Sequence, residues 1–475
     1  MHIIKHAKLQ LIFQIPKFNP QFSFDSVFLL YFLSDIVCRR GLFVGKLMKN
    51  CVFEKNVVIL CVFTLLFDIL NYITLILVIL LVLGISDFFT EPFPGIQRQV
   101  YNIAFFVTAF LFTIKYYYGP DITSYVPHYE NIPTVSQLIA NDYDLQFESG
   151  YNFFCSVLKH AGISFYWMTA IISVFYFAVI WFFFKRIKRK KSFALMILVL
   201  LDYKLIFATY RQCMSVALFL VMVMLLENRH FLWALLMGVL AASFHKAGVF
   251  VVALSLLFYV FRTHKMKTYI YELLFLLLVL VLVMPLADIG APIIRMLPIP
   301  SDYADSIIHH LTLGKKFQSV FIIYAMVILC IAHYMHYGKD KMSTIGIIAI
   351  VGLLFVISMY QYYYLLNRMR SYFLPVVIVF VFRLVQNVED EKISVQYGNL
   401  LKQITSVLIV LYLSYSTYTF HKGVANLHNN IYAACTVFDL RNGADKKAIQ
   451  HRQMELAERY WKEDFMKNEN NKLSN

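Results

Sequence analysis

Residues 204–249 have the sequence KLIFATYRQCMSVALFLVMVMLLENRHFLWALLMGVLAASFHKAGV, in which polar side chains interrupt two apolar runs. Arg211 and Gln212 stand at the start of the first run, and a Ser-Phe-His-Lys block at 243–246 closes the second. A charged side chain at the centre of a membrane helix costs roughly 2.5–3.5 kcal/mol even on a lenient insertion scale. We therefore expect these residues at a membrane interface or in a water-filled cavity, where they would form a site.

The composition of the chain predicts an all-α, polytopic membrane protein. Of the 475 residues, 60% are hydrophobic and 15% are charged, whereas soluble domains carry about 25% charged residues. A membrane helix needs about 20 residues, so the short runs 231–243 and 247–261 either borrow flanking residues or form a bent pair around His245. About twelve apolar runs are present, near 57–84, 101–118, 163–184, 193–209, 212–226, 231–243, 247–261, 270–287, 317–336, 343–362, 371–385 and 400–419.

Three regions of the chain differ in composition. Residues 1–56 carry scattered basic side chains and are expected to be an N-terminal extension, which a start site placed too far upstream would explain. Residues 57–420 form the predicted membrane domain, with outer loops at 119–162 and 288–316. Residues 421–475 form a polar tail of partly helical composition.

The basic loop at 185–191 predicts the orientation of the helices. It carries six positive charges and no acid, which is typical of a cytoplasmic loop. Alternation then puts the loop 119–162, the turn at Arg211, the turn at His245 and the turn before Arg370 on the outer face. Because Arg211 and His245 end opposite arms of a helical hairpin, we expect them within reach of one another.

Several classes of function lack their sequence signatures. The seven cysteines include no Cys-x-x-Cys pair, which argues against a zinc cluster or a disulfide framework. The chain also has no phosphate-binding loop, dinucleotide fingerprint or His-Glu-x-x-His motif. The net charge of +15 is concentrated in short loops that report orientation. We therefore expect no cofactor or metal, and the lipid bilayer rather than nucleic acid as a partner.

Arg211, His245 and Lys246 each have a functional and a structural interpretation. The guanidinium of Arg211 can hold a phosphate or pyrophosphate through two parallel hydrogen bonds, or Arg211 can be a snorkelling residue at a helix end. His245 can be a general acid or base, or merely interfacial. Lys246 is a phosphate partner or a boundary charge. Asp202 and Lys204 place two further charges inside an apolar run.

Two carboxylates and two arginines complete the candidate set. Asp121 ends a Gly-Pro-Asp turn and can orient a sugar hydroxyl, act as a base or simply form the turn. Glu148 is a second carboxylate, and a pair of carboxylates can support glycosyl chemistry. Arg368 and Arg370 follow a tyrosine-rich patch at 360–364, which is typical of an interfacial belt or a sugar-stacking surface.

These blocks, in their order along the chain, resemble the EpsG family of Wzy-like exopolysaccharide and O-antigen polymerases. The resemblance covers roughly residues 57–430 and departs from the family where Lys115 and three tyrosines occupy a region that commonly holds an arginine. The matching blocks are Gly119-Pro-Asp121 with Tyr125, Glu148-Ser-Gly-Tyr151, Tyr210-Arg211-Gln212, Ser243-Phe-His245-Lys246, and the arginines Arg368 and Arg370 before Tyr372.

The resemblance implies a GT-C-like polymerase of the bacterial plasma membrane. Such an enzyme joins undecaprenyl-pyrophosphate-linked oligosaccharide units on the outer face and needs no metal or nucleotide. A flippase and a chain-length regulator are the partners that it implies.

The resemblance also implies roles for individual residues. Arg211, with Arg368 or Arg370, would neutralise the pyrophosphate, and Asp121 or His245 would be the base. The remaining matched candidates are a second carboxylate, Glu148, and the substrate-binding residues Tyr125, Gln212 and Lys246.

Two other functions fit the composition. A flippase for lipid-linked oligosaccharides would use polar groups on both sides of the membrane midplane. Here the charges inside or beside the apolar runs collect toward the outer face, and Asp202 and Lys204 are the exceptions that favour a transporter. A membrane glycosyltransferase that uses a polyprenyl-phosphate sugar would share the outward site but add single sugars.

Overall fold

Helices make up nearly all of the described structure. The computed structural model describes residues 93–116, 121–140, 147–263, 343–358, 363–390 and 447–455, together with isolated positions elsewhere. These residues belong to the larger of two compact units, Asn71–Asn475. The N-terminal extension, most of the loop 288–316 and the apolar runs near 57–84, 270–287, 317–336 and 400–419 lie wholly or almost wholly outside the described residues.

The helices coincide with the apolar runs of the sequence, so the helical fold class is confirmed. The predicted loop 119–162 also contains three short helices, α2 to α4. In chain order the elements are α1 Pro94–Thr113, β1 Lys115–Tyr116, α2 Ile122–Asn131, α3 Val135–Ala140, α4 Ser149–His160, α5 Phe165–Phe184, α6 Lys191–Ala208, α7 Tyr210–Glu227, α8 Phe231–Phe244, α9 Lys246–Thr263, α10 Thr344–Ser358, α11 Tyr363–Asp390 and β2 Cys435–Thr436.

Two of the described helices, α5 and α7, are long and apolar enough to cross a membrane. Shorter apolar helices are Phe231–Phe244, Lys246–Val260 and Thr344–Phe355. The predicted count of about twelve spans and the GT-C-like architecture therefore stay predictions. Large apolar side chains are exposed on α1, α5 and α8, as lipid contact requires; they include Phe106, Trp167, Leu232, Trp233 and Val239.

Helix α7 forms the centre of the described bundle. It packs against α5, α6, α8, α9, α10 and α11. Its side chains are buried on every side of the helix, from Tyr210 through Phe219 to Leu226. A helix that is apolar all round is stable only when it is surrounded, which explains why this segment occupies the core.

A single non-helical residue separates α6 from α7, and another separates α8 from α9. Thr209 (φ −106°, ψ 73°) separates α6 from α7. His245 has extended backbone angles (φ −156°, ψ 129°) and separates α8 from α9. The structure thus contains the bend that the short apolar runs predict at His245.

The basic loop and the start of α7 lie at opposite ends of the bundle. At the C-terminal end of α7, Glu227 accepts hydrogen bonds from Arg186 Nε (2.5 Å) and Arg383 Nη1 (3.1 Å). Gln386 on α11 accepts from the backbone N–H of Lys188 in the same loop (3.0 Å). The 18 residues of α7 span about 27 Å at 1.5 Å per residue, which is close to the thickness of a bilayer core.

The polar tail returns to the end of α1. Lys115 and Tyr116 pair antiparallel with Thr436 and Cys435, and Gln450 Nε2 donates to the Tyr116 hydroxyl (2.8 Å). Residues 447–455 are helical, as the composition of the tail predicts. The tail therefore contacts the segment that leads into Asp121.

Candidate functional site

Arg211 lies in the first turn of α7 and is held on three sides. Its Nη1 donates to Glu148 Oε2, and its Nε lies 3.4 Å from the Tyr125 hydroxyl. The guanidinium carbon lies 4.1 Å from the ring centroid of Phe147 and 5.6 Å from that of Tyr125. Aromatic faces attract a cation and leave its hydrogen-bonding edge exposed, so the group is oriented rather than snorkelling.

Glu148 connects the loop before α4 with both arms of the hairpin. Its Oε2 pairs with Arg211, and its Oε1 accepts from the backbone N–H of Lys246 (3.1 Å), the first residue of α9. This bond satisfies one of the unpaired donors at the N-terminus of a helix. Burial would raise the pKa of Glu148, but Arg211 and the other groups around it hold that pKa below its ordinary value. Glu148 is therefore a carboxylate that organises the site.

Asp121 has the opposite electrostatic environment. It lies in the turn before α2, where its backbone carbonyl accepts from the N–H groups of Ser124 and Tyr125 (both 3.0 Å). Burial raises the pKa of Asp121, and the nearby charges of Arg211 and Arg368 offset this only in part. Two carboxylates with pKa values pushed in opposite directions are typical of separate roles. Of the two carboxylates, Asp121 is the one that is protonated more readily.

His245 occupies the break between α8 and α9 with only 7% of its surface exposed. Its Nδ1 lies 3.4 Å from the hydroxyl of Tyr372 on α11. The charges of Glu148 and Arg211 act on its ring. Glu148 links the two ends of the hairpin, because it pairs with Arg211 and accepts from the backbone N–H of the residue after His245. That Arg211 and His245 act in one site stays a prediction.

The remaining candidates reach the site in different ways. Gln212 Nε2 donates to the backbone carbonyl of Arg368, which fixes α11 against the start of α7. The charge of Arg368 acts on both Asp121 and His245, and the side chain is exposed. Lys246 is also exposed, and its backbone N–H binds Glu148.

Arg370 has a different set of contacts. Its Nη2 donates to the carbonyl of Leu201 (2.9 Å) and lies 3.9 Å from Asp202 Oδ1, which also accepts from Ser371 Oγ (2.7 Å). Asp202 has non-helical backbone angles inside α6, so these contacts stabilise a kink. Residues two positions apart on a helix are separated by about 200° around its axis at 3.6 residues per turn. Arg368 and Arg370 therefore lie on nearly opposite faces of α11 and contact different parts of the bundle. The side chain of Lys204 lies outside the described residues.

Two glycines allow the elements of the site to approach closely. A Cβ on Gly150 would lie 2.8 Å from Ser243 Cβ, and one on Gly248 would lie 2.8 Å from Ser215 Oγ. Real Cβ atoms essentially never come so near another heavy atom. Gly150 therefore sets the distance from α4 to α8, and with it the position of Glu148.

Sequence reasoning missed three contributors to the site. Phe147 supplies the ring nearest to Arg211, while Ser215 and Tyr372 form the hydrogen bonds behind His245. Ser215 had a usable signal, since it lies four residues after Arg211 and so on the same helix face. Phe147 had none that distinguishes it from a core aromatic residue, and Tyr372 stood in the sequence only as the end of the last matched block.

Aromatic rings surround the charged groups. The ring centroid of Tyr125 lies 5.3 Å from Phe147, 5.9 Å from Tyr151 and 5.4 Å from Tyr210. Such a wall combines stacking surface with hydroxyl groups. Within the described ranges, no group of three His, Cys, Asp or Glu side chains is arranged to hold a metal ion.

The model of one protein family, EpsG, matches residues 98–432. The chain belongs to the EpsG family. The matched region contains every residue of the site, and the resemblance seen in the sequence is confirmed. Neither the curated proteins nor the solved structures contain a match. Membership in the EpsG family supports a role in polysaccharide biosynthesis at a membrane.

Proposed function

We propose that this EpsG-family protein is a polysaccharide polymerase of the bacterial plasma membrane. It joins undecaprenyl-pyrophosphate-linked oligosaccharide units into an exopolysaccharide, capsule or O-antigen on the outer face. The observation that carries the proposal is the Arg211–Glu148 ion pair, with Asp121, Arg368 and His245 electrostatically coupled around it. This set offers cations for a pyrophosphate and two candidate bases for a hydroxyl.

In the proposed reaction, a sugar hydroxyl of the incoming unit attacks the anomeric carbon of the growing chain. A new glycosidic bond forms while the bond from that carbon to the pyrophosphate oxygen breaks. The pyrophosphate leaves with the bonding electron pair, and the hydroxyl proton passes to His245 or Asp121. No other reactant is needed.

Arg211 retains donors for the leaving group. Its described contacts use Nε and Nη1, and a guanidinium carries five N–H hydrogens. Donors directed at a developing negative charge in a water-poor site stabilise the transition state. Arg368 and Lys246, both exposed, would complete the neutralisation of the two phosphates.

The position of the site relative to the basic loop supports an outward orientation. The loop 185–191 contacts the C-terminal end of α7, whereas Arg211 lies in the first turn of that helix. If the basic loop is cytoplasmic, the site opens on the other side, where a flippase would deliver its substrate and a chain-length regulator could act.

The test is polymerisation by the purified protein in lipid vesicles that contain a lipid-linked oligosaccharide. Wild-type protein should produce a ladder of lengthening chains, and Arg211→Ala and His245→Ala should each abolish it. The matched control is Arg98→Ala, which removes an exposed arginine of α1. Full-length ladders from both site variants at normal expression would contradict the assignment.

The pair of buried Asp202 and half-buried Arg370 keeps a transporter as the second candidate, because paired charges inside a membrane bundle can mark a substrate path. The same vesicles decide between the two. Movement of the lipid-linked substrate across the bilayer without a ladder would identify a flippase. Addition of one sugar from a polyprenyl-phosphate donor would identify a single-sugar glycosyltransferase.

A further inference from the structure

A chain of hydrogen bonds lies behind His245 and ends at a backbone carbonyl. Ser215 Oγ donates to the carbonyl of Ala241 (2.6 Å), and the Tyr372 hydroxyl donates to Ser215 Oγ (2.8 Å). The Tyr372 oxygen in turn lies 3.4 Å from His245 Nδ1. Ser215 and Tyr372 are fully buried. The chain therefore connects α7, α8 and α11 to the break between α8 and α9.

The carbonyl at the end determines the direction of every bond in the chain. A carbonyl oxygen can only accept, and a hydroxyl has one hydrogen to donate. Ser215 uses its hydrogen on Ala241, so its oxygen must accept from Tyr372. Tyr372 has then used its own hydrogen, and its oxygen can only accept from His245. The contact at His245 Nδ1 is favourable only when that nitrogen carries a hydrogen.

We propose that Tyr372 and Ser215 are positioning residues that hold His245 in the Nδ1–H tautomer and leave Nε2 with its lone pair. The inference rests on the proposed polymerase function for the use of that lone pair, which would accept the proton of the attacking hydroxyl. His245 is then the base, and Asp121 orients the hydroxyl. A tyrosine oxygen fixes the tautomer without the negative charge that a carboxylate partner would bring.

Substitutions at Tyr372 and Ser215 should affect His245 differently, because the hydrogen bonds between these residues have a fixed donor and acceptor. Tyr372→Phe removes the acceptor at Nδ1, so both tautomers become populated. Ser215→Ala instead removes the acceptor for the Tyr372 hydroxyl, which can then turn and donate to Nδ1. That reversal moves the ring hydrogen to Nε2 and blocks the lone pair. Ser215→Ala should therefore be the more damaging of the two, although it is the smaller change.

The experiment measures tautomer and activity on the full-length protein in lipid bilayers. The spectrum of His245→Gln is subtracted from the ¹⁵N spectrum of histidine-labelled protein to isolate the His245 signals. These should show the Nδ1–H tautomer in the wild type, both tautomers in Tyr372→Phe and the Nε2–H tautomer in Ser215→Ala. In the ladder assay, kcat should fall roughly tenfold in Tyr372→Phe, as for loss of an outer-shell partner. It should fall by roughly 10²-fold or more in Ser215→Ala, where the tautomer is wrong. KM should stay near wild type in both.

The double variant separates positioning from general damage to the core. Once Tyr372 is phenylalanine, no hydroxyl can reverse, so Ser215→Ala combined with Tyr372→Phe should recover to the level of Tyr372→Phe alone. Ser215→Thr keeps the hydroxyl, so its folded protein should keep the Nδ1–H signal of the wild type. An Nε2–H signal in the wild type, or a double variant as impaired as the sum of the single variants, would overturn the inference. The spectrum needs no turnover, so the expected tautomers without any ladder would support the positioning role and refute only the polymerase function.

Discussion

Glu148→Gln should weaken both the fold and the activity, because it removes the charge that organises the site. The change preserves shape, and the amide oxygen can still accept from Lys246 N–H. It leaves the Arg211 guanidinium without its counter-charge. The side chains of Arg211 and Glu148 are 22% and 9% exposed, so the pair lies between two limits. Breaking a buried pair costs 3–5 kcal/mol and an exposed one at most 1, so we expect a loss of about 2–3 kcal/mol.

Denaturant unfolding in detergent, followed over a range of pH, measures this loss. The pKa of Glu148 is lowered in the folded protein, so its stabilising contribution is complete above the ordinary glutamate pKa of 4.5 and disappears as the pH falls through the folded value. The difference between wild type and Glu148→Gln should therefore shrink toward zero in acid. In the ladder assay, the misplaced guanidinium should lower the rate by roughly 10²-fold.

Glu227→Gln is the matched control. It makes the same change at the end of α7 far from Arg211, where Glu227 pairs with two arginines. It should cost stability but leave polymer length and rate unchanged at an equal folded fraction. The reasoning would be refuted if Glu148→Gln kept the wild-type unfolding midpoint and rate, or if Glu227→Gln lowered the rate as much.

Three further predictions concern other parts of the site. Because the pKa of Asp121 is raised, the rate of ladder formation should decline in acid at a higher pH than an ordinary carboxylate would give. Asp121→Asn should lower kcat by roughly 10²-fold. A pH–rate profile that Asp121→Asn leaves unchanged would contradict this. Arg368→Lys should weaken inhibition by inorganic pyrophosphate, whereas Arg370→Lys should lower the unfolding midpoint and leave inhibition unchanged. Equal effects of the two variants on inhibition would contradict their assignment to different roles. Gly150→Ala should cost about 1–3 kcal/mol of unfolding free energy through the contact with Ser243, and an unchanged midpoint in denaturant would show that α4 adjusts.

Some features of the site follow from the sequence alone. The apolar runs and the break at His245 follow from local composition, because a helix needs a continuous apolar stretch and a polar block interrupts it. The basic loop at 185–191 predicts which ends of the helices lie together. Arg211 and His245 end adjacent arms of a hairpin, and a short connection leaves them few ways to separate. These arguments depend on neighbours in the chain.

Only the tertiary structure decided which partners the site residues have. Glu148 meets Arg211 across 63 residues and His245 meets Tyr372 across 127, and both contacts depend on how each helix is rotated about its own axis. Sequence periodicity does not determine that rotation when a helix is apolar on every side, as α7 is. The rotation of α11 about its own axis likewise determines that Arg368 faces the site and that Arg370 contacts the kink at Asp202. The polar residues in 204–249 marked where a site would form, and the packing of α4, α9 and α11 around them determined its chemistry.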